Sequence, residues 1–194
     1  KLTTKCVTEV MQLEVERRGL LSENQLGTVR RVQGTKEQVL LNIAIHKDKG
    51  NQLKTVWIDV KKAFDSVSHE YLMACIKSLN LPLWISNFIE ATSESWNLEV
   101  RLKGKKILDK QVKRGILQGD SLSPLLFVLC MDPLSKKLNS KYEKVSVKTE
   151  GDSHLTNHLL FIDDLKIIST IDLIFKEMVE EIEIFLRTFR LEVN

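Results

Sequence analysis

The chain has 194 residues, 43% hydrophobic and 28% charged, with 29 Lys and Arg against 26 Asp and Glu for a formal net charge of +3. Eight glycines and three prolines leave collagen-like and low-complexity classes without support, and the apolar content suffices for one sizeable core. Cys6, Cys75 and Cys130 are odd in number and lack C-x-x-C pairing, which argues against a disulfide framework or thiolate zinc site and predicts buried thiols in a reducing compartment.

In chain order, the opening Lys1-Leu-Thr-Thr-Lys5, without Met, suggests a piece of something longer. Behind Thr35 as an N-cap, Val39, Leu40 and Ile43 recur at helical spacing and predict a helix over 36–46. Residues 53–60 are short, β-branched and apolar, a buried strand with Asp59 at its carboxyl end. Leu72, Met73, Cys75, Ile76 and Leu79 predict a helix over 69–79, ending before Pro82. Residues 97–102 and 106–112 alternate polar and apolar side chains around Lys103-Gly104-Lys105, the pattern of a hairpin.

That hairpin region is basic. Arg101, Lys103, Lys105, Lys106, Lys110, Lys113 and Arg114 face a single acid, Asp109, whereas acids dominate over 172–194. Residues 121–138 form an apolar core helix with Pro124 in its first turn; its longest clean apolar run, 125–131, is far below the ~20 residues that cross a bilayer, so no membrane partner is expected. Two apolar strands, 158–162 and 165–169, flank Asp163-Asp164 in a tight hairpin, and Ile174, Phe175, Met178, Ile182, Phe185 and Leu186 make a closing amphipathic helix. The mixture without strict βαβ alternation reads as α+β.

Asp59, Asp163 and Asp164 stand at strand ends, where charge is costly unless something positive compensates it. If the two strands lie side by side, their acids meet at one edge, and Mg²⁺ is the natural partner for clustered carboxylates. An isolated Asp-Asp is ordinarily a solvated turn. Between the acid sites, however, lies Arg114-Gly-Ile-Leu-Gln-Gly-Asp-Ser-Leu-Ser-Pro-Leu125, whose glycines permit close backbone approach and which runs into a helix N-terminus. At residue frequencies of about 5–7% each, the six defined positions of Gln-Gly-Asp-Ser-x-Ser-Pro have a chance probability on the order of 10⁻⁸. His154 and His158, four apart with no third ligand, read as structural.

Together, Trp57-Ile-Asp-Val-Lys-Lys-Ala-Phe-Asp-Ser-Val67, residues 114–127 and Phe161-Ile-Asp-Asp164 resemble the first, second and third core motifs of reverse transcriptases, in the wording of non-LTR retrotransposons. The resemblance covers about residues 24–194. It implies an α+β fold, the fingers and palm of a right-hand polymerase, with an RRM-like palm sheet flanked by helices and the thumb absent. Fingers would take residues 1 to about 54 and 80–114, and palm 55–79 and 115–194. Implied metal ligands are Asp59 and Asp163, with Asp164 supporting and the Val60 carbonyl completing the shell of two Mg²⁺ ions, Mn²⁺ being the alternative ion.

Val60, Ala63, Phe64, Gln118 and Gly119 would surround the incoming dNTP, with Phe64 beneath the sugar, leaving no room for a 2′-hydroxyl. Arg30, Arg31 and Lys36 would reach the triphosphate, although Thr28 stands where the family often has an aromatic. Lys103, Lys105, Lys106, Lys113 and Arg114 would track a nucleic-acid backbone, Asp65 would hold its motif's backbone, and His69 would be a surface residue. The implied partners are an RNA template, a DNA primer and dNTPs, with a thumb and an endonuclease elsewhere in a larger polyprotein. The implied location is intracellular, nuclear at integration. An inactive nucleic-acid-binding scaffold from a decayed element is the alternative, against which the three intact aspartates count; telomerase-like and group II intron-like enzymes word the second motif differently.

Overall fold

The computed structural model describes residues 1–28, 34–149 and 152–193. The elements run α1 (Leu2–Arg17), α2 (Gly34–Lys49), a 3₁₀ turn (Gly50–Gln52), β1 (Lys54–Ile58), β2 (Val60–Lys61), α3 (Ala63–Ser66), α4 (His69–Ser78), α5 (Leu83–Glu94), β3 (Asn97–Leu102) and β4 (Lys105–Gln111). There follow α6 (Ser123–Lys141), β5 (Val145–Thr149), β6 (Asp152–Thr156), β7 (His158–Phe161), β8 (Asp164–Ser169), α7 (Asp172–Thr188) and β9 (Glu192–Val193). The central sheet is antiparallel in the order β1-β8-β7, registered from Lys54↔Ser169 to Ile58↔Leu165 and from His158↔Ile167 to Phe161↔Asp164. The pairs β2-β9, β3-β4 and β5-β6 stand as separate two-stranded ladders.

α1, α5 and the β5-β6 pair escape the sequence pattern. α1 buries only Val7, Met11 and Val15, one residue per turn, and α5 buries Ser86 and Ser93 beside Ile85 and Ile89, so serines dilute its apolar stripe. The antiparallel β5-β6 pair has Val145 and Val147 on its buried face, too few to mark a strand. The strand predicted over 53–60 breaks at Asp59, because β1 follows β8 whereas β2 turns away to pair Val60 with Val193. Cys75 and Cys130 are buried, but Cys6 is exposed on α1, so the expectation of buried thiols fails there.

Twelve of the nineteen residues of α6 are buried, because it packs on α4, α7 and β7 at once. Phe127, Leu129 and Met131 are among its fully enclosed side chains, and no helix among the described residues is long and apolar enough to cross a membrane. On α7, Glu181 bridges Lys137 and Lys141 of α6, and the two ammonium groups hold its carboxyl below the usual range. On the opposite face of the sheet, Ile45 of α2 packs with Val147, Leu159 and Ile168 in a smaller apolar cluster.

A buried polar seam joins the N-terminal segment to this core. His158, fully buried, places Nε2 2.6 Å from Ser135 Oγ and Nδ1 2.6 Å from Asn157 Oδ1. Asn157 in turn donates to the carbonyls of Leu138 and Tyr142, and Asn24 donates to the His158 carbonyl. Burial, helped by Lys144, pushes the imidazole down to about 3. Unfolded His titrates near 6.5, so between these values the unfolded chain binds the extra proton. The stabilisation is therefore complete above about pH 6.5 and falls by roughly 1.4 kcal/mol per unit as pH drops toward 3. Urea unfolding of His158→Gln over pH 4–7 should show a shallower loss of stability on acidification than the parent by close to one proton; parallel curves would refute the assignment.

Candidate active site

Sheet register decides where the acids meet. Ile58 of β1 sits opposite Leu165 of β8 with both side chains in the helical core, so Asp59 and Asp164, each one residue away, flank the same rung of the ladder. The β7-β8 hairpin closes through Ile162 and Asp163, which places Asp163 at its tip, next to Asp164. Asp163 is half-buried, and its carboxyl is raised from the ordinary value, first by burial and then by the negative charges of Asp164 and Asp59, against a lowering backbone hydrogen bond. Asp59 and Asp164 are exposed.

Among the described residues no three acidic, imidazole or thiol groups form a ready-made metal cage. Mg²⁺ does not require one: it usually binds through one or two carboxylates and keeps its remaining positions for water and substrate phosphate. Two converging carboxylates on an open rim, with a third beside them and mutual repulsion raising the half-buried member, fit such an ion.

The glycine-bearing segment is strapped onto the element that follows Asp59. Lys62, at φ 48°, reverses the chain after β2 and starts α3. The Gly115 N–H donates to the Val67 carbonyl and the Ile116 N–H to the Phe64 carbonyl, both at 2.8 Å. Gly115 adopts φ +93°, and a Cβ built there would lie 3.0 Å from the Asp65 Cα, so glycine permits both the turn and the approach. Gln118 Nε2 lies 3.5 Å from the Asp65 carboxylate, and the solvent side of Gly119 is open. Phe64 is half-buried, its ring 5.0 Å from that of Phe127, whereas Ala63 and Val60 are buried. A cavity of about 360 Å³ lies between Asp65, Asn97, Gly115 and Gln118.

A helix N-terminus favours an anion, and here the chain supplies its own, while the expectation of His69 as a surface residue fails. The amides at the start of α6 meet the chain's own Asp120, whose Oδ1 accepts from the Leu122 N–H at 3.0 Å and whose Oδ2 accepts from Thr4 Oγ1 at 2.9 Å. His69 is half-buried and tied in, with Nε2 2.9 Å from the Gly115 carbonyl and its ring edge-on to Trp96. The Asp120–Leu122 contact is local, whereas Thr4 and Gly115 lie far along the chain from their partners and leave no mark in the sequence pattern.

The basic hairpin protrudes, all thirteen residues of its strands exposed, around a turn in which Lys103 and Gly104 both have positive φ, the I′ pattern. Its charge is less one-sided than the sequence implies. Glu99, two residues before Arg101, pairs with Arg101 and, together with Asp109, with Lys106. Among the described residues Lys103, Lys105, Lys110 and Lys113 have no ion-pair partner. Arg114 is engaged by backbone, its Nε donating to the Ser66 carbonyl and its Nη2 to the Arg190 carbonyl. Lys36 is exposed in the first turn of α2; Arg30 and Arg31 lie outside the described residues.

A concavity of about 890 Å³ is not lined by the three aspartates; it opens just after Asp59 along the chain, with Lys61, Lys62, Arg114, Arg187 and Arg190 on its walls. The acid-rich C-terminal stretch thus contributes Arg187 and Arg190 to a groove in which five cations outnumber two acids, Asp65 and Glu183.

A family model described as reverse transcriptase (RNA-dependent DNA polymerase) matches residues 1–194. The chain is 35% identical over 125 residues to the retrovirus-related Pol polyprotein from type-1 retrotransposable element R2 of Nasonia vitripennis, a match covering 62% of this chain and 12% of that protein. It is 28% identical over 131 residues to an R2 polyprotein of Popillia japonica, covering 68% of this chain and 21% of that one. The chain therefore spans between 12% and 21% of these relatives' length. Its fold matches apo telomerase from Candida tropicalis with a TM-score of 0.71 at 16% identity, over 98% of this chain and 35% of that one. The R2 relatives bear out the non-LTR resemblance of the three motifs. The chain belongs to the reverse transcriptase family.

Proposed function

We propose that this chain carries the polymerase centre of a non-LTR retrotransposon, joining deoxynucleotides to a primer 3′-hydroxyl on an RNA template and releasing pyrophosphate. The observation that carries this reading is the β1-β8 pairing that sets Asp59 beside the Asp163-Asp164 hairpin. Asp59 and Asp163 would hold two Mg²⁺ ions, or Mn²⁺ in their place, with Asp164 and the Val60 carbonyl in support. Ions held there would supply the charge that stabilises the attacking and the leaving oxygen of an in-line displacement.

The rest is positioning by the chain itself. Ala63 and Phe64 would form a floor, with the Phe64 carbonyl held by the Ile116 amide and the Val67 carbonyl by that of Gly115, and Gln118 and Gly119 would border the space above it. Phe64, backed by Phe127, would close the room that a 2′-hydroxyl needs. Lys103, Lys105 and Lys113 on or beside the hairpin would follow a nucleic-acid backbone, with a grip that weakens as salt rises. Lys36, with Arg30 and Arg31, belongs to the same proposal as a triphosphate contact. In this reading the palm comprises residues 55–79 and 115–194, its sheet of RRM-like type, and the fingers residues 1–54 and 80–114; the setting is intracellular, with a nuclear step at integration.

Primer extension on an RNA template by the full-length protein tests the reading, and template-dependent incorporation that requires a divalent ion is the expected result. In the same assay Phe64→Val should raise ribonucleotide use relative to deoxynucleotide use by about tenfold or more, the scale on which polar and steric mismatches discriminate substrates. An unchanged ratio would make the ring plain core.

A further inference from the structure

The turn that carries Asp163 is strained and externally braced. Ile162 has φ 59° whereas Asp163 does not share the positive value, so the two-residue turn has the II′ pattern, whose first position normally belongs to glycine. A β-branched side chain in this region is an outlier that persists only when its surroundings over-determine it. Those surroundings come from the far end of the chain. Gln25, 1% exposed, accepts at Oε1 from the Ile162 N–H at 3.0 Å and from the Gly27 N–H at 2.9 Å, while its Nε2 lies 3.5 Å from the Ile162 carbonyl. One buried amide thus brackets both backbone groups of the strained residue.

The backbone around Gln25 is anchored to the same hairpin. Residues 24–26 run alongside β7 through a parallel bridge, Gln25↔Leu160, with the Leu26 N–H donating to the Leu160 carbonyl and the Leu160 N–H to the Asn24 carbonyl, each at 2.9 Å. Gly27 makes room: a Cβ built on it would lie 2.6 Å from both the Ile162 nitrogen and its Cγ1, and 2.9 Å from Gln25 Oε1. We propose that Gln25, seated by Gly27, is a positioning residue that fixes the Ile162 peptide and through it the direction in which the Asp163 carboxylate faces Asp59. This role rests on the polymerase reading above for its consequence, though not for its geometry.

The test has two arms, both on the full-length protein. Hydrogen exchange reads the brace without activity: Gln25→Met, similar in size and without polar atoms, should remove most of the protection of the Ile162 amide while leaving the β1-β8 ladder protected. Gln25→Glu, which keeps the acceptor oxygen, should retain it. Mg²⁺ titration of primer extension reads the consequence: Gln25→Met should raise the half-saturating Mg²⁺ concentration about tenfold with little change in nucleic-acid binding. That shift should shrink in an Ile162→Gly background, where positive φ costs little.

An unchanged Ile162 protection, or the same Mg²⁺ shift in both backgrounds, overturns the proposal. If the parent protein shows no extension at all, the polymerase reading fails while the exchange arm still decides the brace. Should Gln25→Met not fold, Gly27→Ala, whose Cβ meets the Ile162 nitrogen, must give the same two signatures or the proposal falls.

Discussion

Asp163→Asn should lower Mg²⁺-dependent primer extension by roughly 10³-fold or more while leaving RNA binding close to that of the parent. Asn matches Asp in shape but cannot offer an anionic oxygen to a cation. The half-buried Asp163 carboxyl is raised by its burial and by the charges of Asp164 and Asp59, so neutralising it removes a repulsion that folding has to overcome. Stability and activity should therefore move in opposite directions, the variant unfolding at equal or higher urea concentration than the parent while its catalysis is lost. A purely structural aspartate would give the reverse, lowered stability with activity following in proportion. Extension at the parental rate would end the metal-ligand assignment.

Phe127→Ala should cost about 3–5 kcal/mol, a large share of the stability of a domain of this size. The Phe127 side chain is fully enclosed on α6, so deleting the ring leaves a cavity that α4 and α7, packed on the same helix, cannot close. The loss should reach the site as well, because the Phe64 ring rests against Phe127 at 5.0 Å and would be free to tilt into the space. Urea denaturation reads the first effect, and the ratio of ribonucleotide to deoxynucleotide incorporation reads the second. Phe127→Leu, which refills most of the volume, should recover much of the stability with part of the selectivity. A destabilisation below about 1 kcal/mol would mean that the core around α6 relaxes freely, contrary to its close packing.

Elements with a dense apolar period are legible in the sequence itself. The helices over 69–79 and 121–138 and the strands around Asp163 appear close to where their patterns place them, since burial on one or all faces writes a repeat into the chain. α1 and α5 were not legible, because one buried side chain per turn, or a stripe mixed with serine, falls below what a local pattern reveals. The charge of the hairpin was only half legible. Glu99 lies just outside the basic run that starts at Arg101, yet the antiparallel register brings it onto Lys106 and Arg101.

At the site, the sequence by itself determined the chemical inventory: three aspartates at strand ends, an aromatic five residues after the first of them, and a glycine-bearing segment between, in an order improbable by chance. These are local facts, set by side-chain type and spacing. Tertiary structure alone decided that β8 rather than another strand lies against β1, that Arg114 and His69 serve backbone carbonyls, and that Gln25 reaches Ile162 across a separation of 137 residues. The physical reason is that a hydrogen bond or a strand register between distant segments has no periodic signature. It becomes determined only when burial of the whole core leaves each polar group a single partner within reach.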